Sequence, residues 1–102
     1  MEKLLKIVAG HQARFPKGID PFQMITRLAE ECGELAREVN HFENSGIKRE
    51  KYGQPDKNHL AKEIRDVLCC TLEVAVYYGV LAEVEANINQ TIEQMKGAGW
   101  LA

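Results

Sequence analysis

Residues 28–39 read LAEECGELAREV, and this stretch decides the fold. Through and around it, Ile25, Leu28, Cys32, Leu35, Val39 and Phe42 recur at intervals of three and four. At about 100° per residue these positions make one narrow stripe, so the segment is predicted to be an amphipathic helix with that stripe against a core. Asp20 followed by Pro21 reads as an N-cap with proline in the first helical position, which fixes the start. Asn44, Ser45 and Gly46 end the helix. The polar segment from there to about Asn58, with Gly53 and Pro55, reads as a connector.

Working outward, Leu4, Leu5 and Val8 predict a first helix from Glu2 to about Arg14, stopped by Pro16 and Gly18. A third helix is predicted from about Asn58 to Tyr78, with Leu60, Ile64, Val67, Leu68, Thr71, Ala75 and Tyr78 on one face. Its second half is apolar on nearly every side. Such a helix must be covered all round, which places it at the centre of a dimer. Gly79 loosens the chain, and Val84, Ile88, Ile92 and Met95 mark a fourth helix ending near Lys96 and Gly97. There is no strand signal and no internal repeat. The expectation is a single all-α domain over residues 1–102, a four-to-five-helix bundle assembled as a dimer or tetramer.

Composition narrows the function. The chain has 102 residues, 45% hydrophobic and 27% charged, which suits one globular domain. A domain this short buries a limited share of its surface and gains from pairing with a second copy. With a net charge of −2 and its Lys and Arg residues dispersed, it offers no continuous basic stripe, which argues against a nucleic-acid polymer as partner. The N-terminal apolar run is too short for a signal peptide, so the expected location is the cytoplasm. The most apolar stretch, Val67 to Ala82, is shorter than a bilayer span and contains Glu73, so no membrane partner is expected. Cys32, Cys69 and Cys70 lack metal-ligand spacing and read as reduced core residues.

The chemistry lies in the carboxylates. Glu30-Glu31-Cys32-Gly33-Glu34 contains an ExxE pair and Glu63-Ile64-Arg65-Asp66 an ExxD pair, on separate helices. Residues three apart share a helix side, so Glu31 with Glu34 and Glu63 with Asp66 each form a two-carboxylate claw, while Glu30 points away. Left without a cation, the four acids would repel by roughly 4 kcal/mol per close pair at an intermediate dielectric. Oxygen-only ligands favour Mg2+ or Mn2+ over zinc and point to phosphate chemistry. Taken singly, each motif is more often a solvated face. Their joint placement beside apolar stripes favours a metal site, as does Gly33, whose place in mid-helix costs about 1 kcal/mol and suggests a close helix approach. A ferritin-like di-iron centre is disfavoured by the lack of ExxH pairs.

The two motifs together, EExxE followed by ExxD, with the framing LAEECGELAREV and LAKEIRDVL, resemble the MazG-like nucleotide pyrophosphohydrolases over nearly the whole chain. The resemblance implies an all-alpha NTP pyrophosphatase fold, a dimer or tetramer, in which Glu31, Glu34, Glu63 and Asp66 hold magnesium. It implies a reaction in which water attacks the α-phosphorus of a standard or damaged nucleoside triphosphate and pyrophosphate leaves. Glu30 or Glu34 would orient or deprotonate that water. The segment His11 to Pro16 is similar to a region that lines the nucleotide pocket in some members, making His11 a candidate substrate contact. Phe15 and Phe22 are candidates for stacking on a base, though such residues are more often core.

One departure stands out. Many members carry Lys, Asn and Arg on the last helix for the phosphates, whereas the matching positions here are Asn89, Glu93 and Lys96. Phosphate charge then falls to Lys62, Arg65, Lys96 or the basic connector Lys48-Arg49-Glu50-Lys51. The same departure makes a second reading credible, a non-catalytic or regulatory nucleotide- or metal-binding module on this scaffold. His59, one turn before Glu63, reads as incidental.

Overall fold

Among the described residues, four helices form where the punctuation of the sequence directs. The structure is a computed structural model that describes residues 1–16, 20–43 and 53–102. Helix α1 spans Glu2–Arg14, α2 Pro21–Phe42, α3 Lys57–Tyr78 and α4 Leu81–Gly97. Among the described residues there is no strand. Helix α2 starts in a capping box: the Asp20 carboxylate accepts from the Gln23 backbone N–H at 2.9 Å, and the Gln23 side chain accepts from the Asp20 N–H. Pro21 sits in the first turn. Asp56 caps α3 by accepting from the Asn58 N–H at 2.8 Å.

Helix α3 ends at Gly79, whose φ of 65° lies in the left-handed region. There the Gly79 N–H bonds back to the Val76 carbonyl and the Val80 N–H to the Ala75 carbonyl, the two bonds of a Schellman stop. The chain turns through 119° between α3 and α4. The expected stops at Gly18 and at 44–46, like the connector residues 48–51, lie outside the described residues.

Among the described residues, α3 packs against α1 and α2, and α4 meets the bundle mainly through α3. The centre of the packing is Val8, Cys69 and Leu72, covered by Leu4, Leu5, Ile7, Val76 and Leu81. Beyond Leu81, α4 contributes little to it and has no buried residue. The molecule is accordingly open: its radius of gyration is 17.0 Å, against about 13 Å for a compact chain of this length.

The buried faces differ from the predicted stripes. On α2, Ile25, Cys32 and Val39 are exposed, and the side turned inward runs through Met24, Leu28, Glu31, Leu35, Glu38 and His41. The inward side is thus rotated toward the acidic residues. On α3 the buried residues are Cys69, Cys70, Leu72, Glu73 and Ala75, whereas Ile64, Leu68, Thr71 and Tyr78 are exposed. Periodicity finds the apolar positions of a helix but cannot tell which of them one chain covers. Gly33 also departs from expectation, since a Cβ built there meets nothing within 4 Å. No close helix approach within the described chain requires it. Cys32 is exposed rather than part of the core, and only Cys69 and Cys70 are buried.

Candidate metal centre and adjoining cavity

The rotation of α2 brings its acidic face against α3. One carboxylate oxygen from each of Glu31, Glu63 and Asp66 lies within 4.8 Å of the other two. Glu34 is outside that closest set, but its carboxyl is near enough to raise the pKa of both Glu31 and Glu63. So the four predicted claw residues share one place, three of them as the tightest group. Of the two general-base candidates, Glu30 is exposed and Glu34 is half-buried beside the cluster.

The electrostatics are those of crowded acids. Burial, then the charges of Glu34, Asp66 and Glu63, push the Glu31 carboxyl above its ordinary 4.5. Glu63 is likewise raised, chiefly by burial and by Glu34, against the pull of Lys62. Burial also acts on Asp66, but hydrogen bonds from Lys62 at 2.9 Å and Arg65 at 3.1 Å outweigh it and hold this carboxyl below 3.8.

Two buried oxygens, Glu31 Oε2 and Glu63 Oε2, have no hydrogen-bond partner among the described residues. A buried acceptor left so is costly, more so when charged. Oxygens sharing one magnesium ion stand at most about 4.2 Å apart, twice the usual bond length. Small side-chain adjustments would bring the three carboxylates within that limit. An all-oxygen, acidic donor set with orphaned acceptors fits a hard divalent cation.

A cavity of about 120 Å³ is lined by His11, Gln12, Phe15, Met24, Arg27, Glu73 and Tyr77. At its floor Glu73 is buried at 7% exposure. His11 Nδ1 lies 3.3 Å from Glu73 Oε1, where an imidazole N–H would donate, and Arg27 Nη1 lies 3.7 Å from Glu73 Oε2. Arg27 precedes Glu31 by four residues on α2, and Glu73 follows Asp66 by seven on α3, so cavity and cluster are built on the same two helices. Along the helix axes those offsets amount to roughly 6 and 10 Å.

His11 and Phe15, predicted as substrate contacts, therefore line the cavity rather than the cluster. Phe22 is 82% exposed and Phe15 56%, so neither fills the core. Lys62 pairs with Asp66 and approaches Glu63 at 4.0 Å. Asn89 and Lys96 are exposed on α4, which meets the bundle mainly through α3, and Lys96 pairs with Glu93 at 3.5 Å. Within one chain the turn at Gly79 carries both away from the cluster. His59 is exposed and faces Asp56 at 4.0 Å. His41 is buried, its Nε2 2.7 Å from the Gly53 carbonyl.

Arg27 and Glu73 were not nominated by the motifs. Their signal was available as register: each is a charge at helical spacing from a claw residue, Arg27 four before Glu31 and Glu73 seven after Asp66.

Residues 20–95 match the family described as the MazG nucleotide pyrophosphohydrolase domain. The chain is similar to the uncharacterized protein YpjD of Bacillus subtilis (strain 168), 48% identical over 69 residues that cover 67% of this chain. The matched stretch spans 60% of that relative's own length. No solved structure matches the chain significantly.

Proposed function

The chain belongs to the MazG nucleotide pyrophosphohydrolase domain family, and from that premise we propose that it is a magnesium-dependent nucleoside triphosphate pyrophosphohydrolase working as a homo-oligomer. The observation that carries this reading is the meeting of Glu31, Glu63 and Asp66 oxygens within 4.8 Å, two of those residues bearing an orphaned buried oxygen.

Glu31, Glu34, Glu63 and Asp66 would hold the ion, with manganese a plausible replacement for magnesium. When bound, a divalent cation supplies charge neutralisation and Lewis-acid polarisation of phosphate oxygens. The residues of the chain do the rest. Glu34, beside Glu31 and Glu63, takes a proton from the attacking water. The water oxygen bonds to the α-phosphorus, the bond to the bridging oxygen breaks, and pyrophosphate leaves. The cavity would receive the nucleoside end, with Phe15 and Tyr77 offering aromatic faces and His11 and Gln12 polar edges.

Support for the oligomer is the amount of uncovered apolar surface. Ile25 and Val39 on α2, Ile64 and Leu68 on α3, and Ile88 and Ile92 on α4 are all more than a third exposed. A second copy over α4 would also allow Asn89 and Lys96 to serve a neighbouring site.

Pyrophosphate release from a panel of nucleoside triphosphates with magnesium, compared with Asp66→Ala and Glu34→Ala, tests the activity. Release by the wild type, reduced at least a hundredfold in either variant, is expected for groups acting on the reacting atoms. Absence of metal-dependent release on every nucleotide would leave the alternative, a binding module that keeps the cluster without turnover. The position of Asn89, Glu93 and Lys96 on the free-standing α4 favours that alternative should no oligomer form.

A further inference from the structure

A triphosphate brings charge that four carboxylates cannot meet, so a cationic side chain must lie beside them. Lys62 and Arg65 are both drawn to Asp66, and Lys96 pairs with Glu93 on α4. Arg27 is placed differently. It lines the cavity, and it also lines a shallower depression with Asp20, Phe22, Gln23 and Thr26, so its guanidinium stands where two hollows of the surface meet.

Its partner Glu73 is 3.7 Å away, beyond hydrogen-bond length, and the Arg27 side chain remains 40% exposed. A guanidinium has five N–H donors. The approach to Glu73 fixes its direction without consuming them. His11, on the opposite oxygen of Glu73, holds that carboxylate in turn. Arg27 and Glu31, four apart on α2, lie on one side of that helix, which puts Arg27 between the cavity it lines and the acidic cluster.

On the pyrophosphohydrolase reading, we propose that Arg27 is the contact for the substrate's polyphosphate chain on the cavity side of the acidic cluster, with Glu73 as its positioning residue. The planar fork of a guanidinium matches phosphate oxygens in pairs, and a half-buried site strengthens the interaction. Arg27 supplies on α2 the charge that α4 does not bring to the cluster.

The test is calorimetric titration of tripolyphosphate with magnesium into the wild type, R27K, R27Q, E73Q and the double variant R27Q/E73Q, with the melting temperature of each recorded. R27Q is expected to weaken binding about tenfold or more, R27K to recover part of it, and the double variant to stay as weak as R27Q. In turnover, R27Q raises KM more than it lowers kcat. If Arg27 only neutralises buried Glu73, the double variant regains wild-type affinity; that result, unchanged binding by R27Q, or no tripolyphosphate binding by the wild type overturns the proposal. Arg27-dependent binding without pyrophosphate release from any nucleotide would instead sink the catalytic reading alone.

Discussion

Glu31 and Glu63 sit where their ionised forms are disfavoured, crowded by other acids and partly cut off from water. For a carboxyl whose folded-state pKa is raised, the folded state holds its proton more tightly than the unfolded chain does. Its contribution to stability is therefore complete below the ordinary 4.5 and is lost as pH rises through the raised value. Asp66 works the other way: its contribution is present above 3.8 and vanishes on further acidification. The metal-free protein is expected to melt higher at pH 5 than at pH 7, and lower again at pH 3. A melting temperature that falls steadily from pH 7 to pH 5 would contradict this. Neutralising the crowding chemically gives the same answer. Glu31→Gln raises the metal-free melting temperature at pH 7 and, having lost a ligand oxygen's charge, removes most of the stabilisation that magnesium confers on the wild type. Calorimetric scans with and without magnesium read both effects.

At the scale of elements, α3 organises the molecule because α1 and α2 both lean on it and because the central cluster draws on Cys69 and Leu72. Leu72→Ala removes packing that links α3 to α1, and its cost is expected at about 2–5 kcal/mol, measured by urea unfolding. A loss below 1 kcal/mol would mean that the α1–α3 contact collapses around the gap or matters little. The caps of α2 and α3 were readable from Asp20, Pro21 and Asp56 because capping is a local matter of a few residues. The inward face of α2 was not. Ile25, Cys32 and Val39 satisfy helical spacing as well as Leu28 and Leu35 do, yet α3 packs against the side that carries Glu31 and Glu38.

Taken whole, one chain leaves itself unfinished. Its accessible surface is 7729 Å², against roughly 5,800 Å² for a folded monomer of this mass. Apolar side chains more than a third exposed include Ile88, Ile92 and Met95 on α4 and Ile25, Val39, Ile64 and Leu68 on α2 and α3. Light scattering is expected to give a mass at least twice the 11.5 kDa of the chain, and Ile88→Asp with Ile92→Asp to lower it. A monomeric wild type at micromolar concentration would exclude the oligomer.

The sequence by itself determined that the chain is helical, where the helices begin and end within the described residues, and which two helices carry the carboxylate pairs. Those features depend on spacing and capping along one segment at a time, and the EExxE and ExxD motifs carry their own register. Only the tertiary structure decided that α2 turns its acidic edge inward, that Arg27 and Glu73 join His11 at a cavity, and that α4 leaves the packing at Gly79. Each of these depends on which helix covers which, and burial against a neighbour is a relation between segments that the periodicity of either one does not contain.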